Sequence, residues 1–173
     1  MSSLQRLRNR LIARLITRFP HLAKGFIDNY RPWESEGEIP WTAVSKPLRD
    51  CRLALVTTAG VHHPDQTPFD MRDSDGDPSW RELTGETLPG AYRITHDYYD
   101  HSDAEKDLNI VLPLERLREL VDEKLLGSLN RRHFGFMGHI DGRHIPTLIE
   151  KSAREVAGKL CADEVDLVLL TPA

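Results

Sequence analysis

Cysteine is scarce in this sequence of 173 residues: only Cys51 and Cys161 are present, and neither belongs to a Cys-x-x-Cys pair. Zinc knuckles and disulfide frameworks need cysteines at short, repeated spacings, so neither is indicated. Long apolar runs are also missing. No run approaches the roughly 20 residues that span a bilayer, and no short apolar segment with a cleavage site marks a signal peptide. We therefore expect a cytoplasmic protein without a transmembrane segment.

Positive charge is not in excess either, because 23 Lys and Arg residues face 27 Asp and Glu residues, for a net charge of −4. Proteins that bind the phosphate backbone usually carry a basic surplus, so we expect no nucleic-acid partner. The glycine-rich loops that cradle nucleotides, Gly-x-Gly-x-x-Gly and Gly-x-x-x-x-Gly-Lys-Ser/Thr, do not follow any predicted strand. With 39% hydrophobic residues, the length suits one globular domain.

The sequence begins with an amphipathic basic pattern. One helical stripe carries Leu4, Leu7, Leu11, Leu15 and Phe19, and arginines occupy the rest of the wheel. The stripe predicts a helix that packs on its own domain or across a homodimer, although docking to a partner or a membrane surface is also open. We assign residues 1–33 to this helix and its connection, and residues 34–173 to a single α/β domain.

Strand and helix patterns alternate after residue 51. They predict strands at 52–58, 92–96, 132–138 and 166–171, helices at 113–127 and 145–163, and a loop without regular structure from 61 to 90. This order favours an α/β fold with a mostly parallel sheet flanked by helices, in a Rossmann-like three-layer arrangement.

Ligands of such sheets bind where the parallel strands end. The polar and glycine-rich residues at these ends are Thr58, Gly60, His62, His96, Asp100, Met137 and Gly138. Histidine can donate a proton near neutral pH and aspartate can hold its tautomer, so His96 and Asp100 are the catalytic candidates. The equally open alternative is that both only tie down their loop. The other five residues are the substrate-binding candidates.

Several histidines in the same loops have the right chemistry for a metal. His62, His63, His101 and His139 qualify on ligand type, but histidine and aspartate in loops more often cap backbone groups. We therefore predict no metal. A small-ligand or metal-binding module that uses these histidines with His96 and Asp100 remains the alternative.

Four stretches carry a resemblance to a known family. IPWTAVSKPLRDCRLALVTTAGVH, GDPSWREL, THDYYDHSDAEKDLNIVLPLERLREL and HFGFMGHI, in this order and spacing, resemble the selenoprotein B family of glycine, sarcosine, betaine and D-proline reductases. The similarity covers residues 40–173, is most specific at 95–118, and is nearer to the short, D-proline-reductase-like branch. The residues that match family motif positions are Thr58, Gly60, His62, His96, Asp100, Asp103, Asp107, Asn109, Met137 and Gly138.

The resemblance implies an oxidoreductase that cleaves a carbon–nitrogen bond reductively. In the family, the strand that corresponds to DLVLLTPA is followed by selenocysteine or cysteine at the start of a helix, where the helix dipole stabilises the anion. Selenocysteine is thus expected after Ala173 if the reading frame continues, and this chain alone is expected to be inactive. The resemblance also implies a second, pyruvoyl-carrying reductase subunit and a thiol electron donor. A noncatalytic interaction subunit that docks through the N-terminal helix is a further alternative.

Overall fold

A computed structural model describes residues 3–29, 41–85 and 91–172. The domain boundary predicted after residue 33 and the terminal Ala173 lie outside the described residues. The helices are α1 (Ser3–Arg18), α2 (Lys24–Asn29), α3 (Leu114–Asp122), α4 (His144–Thr147) and α5 (Ala153–Ala162), with a π-helical turn at Leu148–Ser152 that joins the last two. The strands are β1 (Arg52–Thr57), β2 (Val61–His62), β3 (Trp80–Thr84), β4 (Arg93–Ile94), β5 (Ser128–Leu129), β6 (Arg132–Phe136) and β7 (Leu167–Thr171).

The main sheet is mixed but mostly parallel, as predicted. β1 pairs in parallel with β7 along one edge and with β5 and then β6 along the other, while β3 pairs antiparallel with β6. The sheet is strongly curled into a half-barrel. The α/β class, the mostly parallel sheet and the N-terminal helix are therefore confirmed, whereas the sheet forms a half-barrel in place of the predicted Rossmann-like three-layer arrangement.

Two of the predicted elements need correction. The expected loop at 61–90 contains β3, whose WRELT sequence gains a whole antiparallel ladder with β6 despite the turn-forming residues before it. The expected strand at 92–96 is only the two-residue β4, which pairs with β2 in a small separate sheet. Its remaining residues turn away to form the loop that carries His96.

Buried side chains lie on both faces of the sheet because β1 is central. One cluster joins Leu53 and Leu55 of β1 to Leu114 and Leu117 of α3. A smaller cluster joins Phe134 and Phe136 of β6 to Val156 of α5. Alternate residues of a strand point to opposite faces, so α3 and α5 each cover one side of the same strands. This arrangement fixes where the strands end.

The N-terminal helix packs differently from the prediction. Its stripe lies outward, with 76% of Leu4, 56% of Leu7 and 57% of Leu11 exposed, whereas Ala13 on the other side is buried. The expectation that the stripe packs on its own domain is wrong, because the arginine side of α1 makes the contacts instead. Packing across a dimer stays a prediction. Over the ranges that the structure describes, no helix combines the length and apolar character needed to cross a membrane.

Candidate functional site

The carboxyl ends of the parallel strands come together, as expected for ligand sites of such sheets. The backbone N–H of Thr58, just after β1, donates to the carbonyl of Thr171 at the end of β7 over 3.0 Å. On the other side, Ala59 forms an antiparallel bridge with Met137, just after β6. A Cβ at Gly138 would lie 2.9 Å from the Thr58 carbonyl oxygen, so only glycine allows this approach.

Gly60 links this edge to the loop that carries His96. Its φ of +71° is the left-handed conformation that glycine adopts readily. Its carbonyl accepts a hydrogen bond from Thr95 N–H over 2.9 Å. A Cβ here would come within 2.4 Å of the Thr95 carbonyl oxygen and 3.2 Å of the His96 Cβ. The loop is further held by the Tyr99 hydroxyl, which donates to the Ala59 carbonyl over 3.2 Å.

His96 is buried at this edge, with 4% of its surface exposed. Its Nδ1 accepts a hydrogen bond from the backbone N–H of Tyr98 over 3.1 Å, which leaves the proton of the neutral ring on Nε2. Among the residues with described positions, Nε2 has no hydrogen-bond partner. Burial, with smaller contributions from His139 and His101, lowers the pKa of His96 to about 4. The site therefore holds a neutral N–H donor at pH 7.

Asp100 lies in the same loop but does not orient His96. Its Oδ1 accepts from the backbone N–H of Ser102 over 3.2 Å and lies 4.0 Å from Nε of Arg14. The hydrogen bond from Ser102 lowers the pKa of Asp100. The backbone N–H of Tyr98 sets the tautomer of His96 instead. This role was predicted for Asp100.

The residue that sequence reasoning missed is Asp97. Its carboxylate is 1% exposed and receives Nε of Arg6 at 2.5 Å and Nε of Arg10 at 2.7 Å. Burial alone would raise the pKa of Asp97, but the hydrogen bonds from both arginines outweigh it and hold the pKa below its ordinary value. The sequence feature that could have predicted this contact is the spacing of four residues between two arginines on one helix face. This pair places α1 over the His96 loop.

His62 and Met137 form the wall beneath the edge. The His62 Nε2 and the Thr95 hydroxyl are 2.9 Å apart, and its Nδ1 lies 2.7 Å from the His63 carbonyl oxygen. Burial lowers the pKa of His62, so this ring is also neutral. Met137 is fully buried against Phe69. The structure thus brings Thr58, Gly60, His96, Met137 and Gly138 to one edge, with His62 behind them.

The proposed metal ligands are spread apart. His63 Nε2 accepts from Thr84 N–H over 3.1 Å, His101 Nδ1 lies 2.8 Å from a carboxylate oxygen of Glu105, and the His139 ring stacks on Tyr98 at 4.0 Å. Within residues 3–29, 41–85 and 91–172, no three His, Cys, Asp or Glu side chains are placed to share a metal ion. A metal-binding module gains no support from this arrangement.

Comparison with known proteins decides the ancestry. The family described as Glycine/sarcosine/betaine reductase selenoprotein B matches residues 9–173. The chain belongs to the selenoprotein B family. D-proline reductase subunit gamma of Acetoanaerobium sticklandii is 36% identical to this selenoprotein B chain over 131 residues, which are 76% of the chain and 52% of that relative. The resemblance read from the four sequence stretches is confirmed.

Other relatives are similar over a comparable share of this selenoprotein B chain. The glycine reductase complex component B subunit gamma of Symbiobacterium thermophilum is 30% identical over 147 residues, and the betaine reductase complex component B subunit beta of Peptoclostridium acidaminophilum is 28% identical over 149 residues. Both matches cover 81% of the chain and 32% of the relative. The chain thus spans about half the length of the D-proline reductase relative and about a third of the others. No solved structure matched it.

Proposed function

We propose that the chain is a subunit of a selenol- or thiol-dependent reductase that cleaves a carbon–nitrogen bond in D-proline-type or glycine-type substrates. The observation that carries the proposal is the edge where Thr58, next to Thr171, and Gly60 meet the buried His96, whose Nε2–H has no partner among the described residues. A buried donor without a partner is costly, so a group that accepts its hydrogen bond is expected to bind there. Family membership supplies the reaction class.

The edge has the chemistry to hold a selenocysteine or cysteine side chain that follows Ala173 where the reading frame continues. Such a group would supply the nucleophile for the carbon next to the substrate amine. Thr171 is two residues before Ala173 and is fixed by two hydrogen bonds, from Thr58 N–H to its carbonyl and from its own hydroxyl to the Val111 carbonyl. These bonds anchor the strand end beside Gly60 and its neighbour His96.

His96 acts in this proposal as a hydrogen-bond donor. With a pKa of about 4, its ring is neutral at pH 7 and has no dissociable imidazolium proton to give to the leaving amine. Its Nε2–H would instead stabilise negative charge on the nucleophile or on a substrate carboxylate. A preorganised donor in a buried site is worth more than the same donor in water. Asp100 does not take part in orienting it.

We also propose a second reductase subunit and a thiol electron donor as partners. The named relatives are subunits of D-proline, glycine and betaine reductases, two of them explicitly of complexes. Neither of the two cysteines in this sequence lies at the strand-end edge. Cys51 is buried before β1, and Cys161 is exposed near the end of α5.

The first experiment adds one cysteine after Ala173 in a Cys161→Ser background, which removes the exposed thiol. We expect iodoacetamide to alkylate the added thiol faster than free cysteine near neutral pH, because a stabilised thiolate is the reactive form. The matched His96→Asn variant keeps an acceptor for Tyr98 N–H but removes the Nε2–H donor, and it should slow the alkylation. An added thiol that reacts no faster than free cysteine contradicts the shared site.

The second experiment reads the nucleotide sequence after the Ala173 codon. UGA or a cysteine codon, followed by an in-frame helix pattern, supports the proposed nucleophile. UAA, UAG or a downstream frame without such a helix contradicts it while leaving the family membership intact.

A further inference from the structure

A second site lies away from the strand ends, on the α3 side of the sheet. A cavity of about 350 Å³ opens there, lined chiefly by Gly85, Arg118, Val121, Leu129, Arg131 and His133. Its residues come from the amino-terminal half of the parallel strands, from the end of β3 and from α3. It therefore shares no residue with the edge that holds His96.

The cavity lies where the two residues between β5 and β6, Asn130 and Arg131, bulge away from β1. Leu53 pairs with Leu129, and Val56 pairs with Phe134. Three residue steps along β1 therefore face five residue steps along the segment from β5 to β6. Two extra residues break the parallel ladder. At this break, His133 Nδ1 accepts a hydrogen bond from the backbone N–H of Leu55 over 3.0 Å, in place of a carbonyl of the neighbouring strand.

This hydrogen bond determines the tautomer of the His133 ring. With Nδ1 as an acceptor, the neutral ring carries its proton on Nε2. The side chain is fully buried, and Nε2 has no hydrogen-bond partner in the described part of the chain. Burial and the nearby charge of Arg118 lower the pKa of His133 to about 4, so the ring remains neutral at pH 7. A buried N–H donor is thus left without a described partner in the wall of the cavity.

Gly85 and Arg118 bring further features to the same point. Gly85 lies directly against His133 Nε2, since a Cβ at this position would come within 2.8 Å of that nitrogen. The Arg118 guanidinium donates one N–H to the Gly85 carbonyl. A guanidinium has five N–H groups in a planar fork that matches a carboxylate. A cation and a neutral donor therefore meet beside Gly85.

We propose that this cavity binds a small aliphatic carboxylate. Its oxygens would accept hydrogen bonds from Arg118 and, once Gly85 shifts to uncover it, from His133 Nε2–H, and its alkyl part would lie against Val121 and Leu129. Arg118 and Arg131 together with the exposed Asp122 give the cavity lining one net positive charge, so a monocarboxylate suits the site better than the dianion of phosphate. This inference rests on the cavity alone and does not depend on the proposed reductase function.

The test is an NMR titration of the full chain with sodium acetate, propionate and butyrate, and with inorganic phosphate for comparison. The reporters are the imidazole Nε2–H of His133 and the backbone amides of Leu55 and Gly85. We expect saturable shifts with a dissociation constant on the order of 1 mM for acetate, as for other very small ligands. Affinity should rise by up to about fourfold for each added methylene that is buried.

Three variants locate the binding. Gly85→Ala should abolish the shifts because its methyl group occupies the approach to His133 Nε2. Arg118→Gln should weaken binding about tenfold or more, as expected for losing a charged hydrogen-bond donor. The matched control is Arg116→Gln, which makes the same charge change two residues away on α3, where Arg116 is 60% exposed and pairs with Glu119. It should leave the affinity unchanged.

The outcomes separate cleanly. Saturable, chain-length-dependent binding that Gly85→Ala and Arg118→Gln remove and Arg116→Gln retains supports the proposal. Linear shifts that are equal for phosphate and acetate indicate general ionic effects and overturn it. Binding that persists in Gly85→Ala overturns it as well, since the ligand must then lie elsewhere.

Discussion

His96 and His133 are comparable buried histidines in two different regions of the molecule. Both rings are buried, both have a pKa lowered to about 4, and both accept a backbone N–H at Nδ1. The donor to His96 is Tyr98, two residues further along its own loop, whereas the donor to His133 is Leu55, 78 residues away in the sheet. One ring is oriented by a local turn and the other by the tertiary fold. Only the first can keep its orientation if its loop moves.

Acid should remove the largest amount of stability, and both histidines contribute. The pKa of each is lowered from 6.5 to about 4 by folding. The unfolded state therefore takes up protons first as the pH falls, and each ring costs about 3 kcal/mol between pH 6.5 and 4. No such penalty exists above pH 6.5. Denaturant unfolding across this window should show the loss.

Replacing each histidine separately sharpens the comparison. His96→Asn and His133→Asn keep an acceptor for the backbone N–H but cannot titrate, so each should flatten about half of the loss between pH 6.5 and 4. Carboxylates with lowered pKa values, such as Asp163, begin to contribute below about pH 5, but their contribution is the same in each variant and in the unmodified chain, so it cancels in the comparison. An unchanged slope in either variant would show that folding does not lower the pKa of that ring.

Asp97 should have the next largest effect, confined to the His96 region. Asp97→Asn removes the charge that holds Arg6 and Arg10, and hydrogen bonds of this charged kind contribute about 1.5–3 kcal/mol each in buried settings. Because both arginines are partly exposed, the expected loss is nearer the lower figure. Trypsin should then cleave within α1 much faster than in the unmodified chain.

The control for that experiment is the opposite region. Hydrogen exchange at Leu55 and across β6 should be the same in Asp97→Asn and in the unmodified chain, because α1 makes its charged contacts at the His96 loop. Faster exchange throughout the sheet would mean that α1 supports the whole domain.

A smaller effect distinguishes the two Nδ1 contacts directly. His133→Leu leaves the buried Leu55 N–H without an acceptor and should be about 1 kcal/mol less stable than His133→Asn. The same pair at His96 should differ by less than half as much, because the Tyr98 N–H belongs to a loop that can turn toward water. Equal differences at both positions, measured by denaturant unfolding, would contradict the distinction between local and tertiary orientation.

The smallest change in stability is expected on the outer face of the helix that covers the His96 side. Leu7→Glu and Leu11→Glu should each alter the free energy of unfolding by no more than about 0.5 kcal/mol, since both side chains are more than half exposed. If the stripe packs across a dimer, the same changes should yield a monomer in analytical ultracentrifugation. An unmodified chain that already sediments as a monomer would end that prediction.

The elements that the sequence predicted well are those with an unambiguous period. The terminal strand, β1 and the helix at α3 follow from apolar runs and from Pro113 at a helix start. α3 ends earlier than Gly127 because Lys124 takes the left-handed conformation, with φ of 61°. β3 was missed because its residues alternate weakly and its stability comes from pairing with β6, which is distant in the chain.

The candidate site was predictable in its location but not in its contacts. The rule that strand ends meet at one edge was enough to collect Thr58, Gly60, His96 and Met137. The partner of His96 depended on the turn at Tyr98, and the burial of Asp97 depended on which side of α1 faces the domain. An amphipathic pattern predicts a helix but does not say that its charged side will be the one that docks.

The contact between α1 and Asp97 also has a consequence for synthesis. Arg6 and its partner are separated by 91 residues, so the helix leaves the ribosome long before its acceptor exists. At translation rates of about 5–20 residues per second, α1 waits roughly 5–18 s before it can dock. During that interval its arginines lack the Asp97 carboxylate that binds them in the folded chain. α1 is therefore made well before the loop that holds it in place.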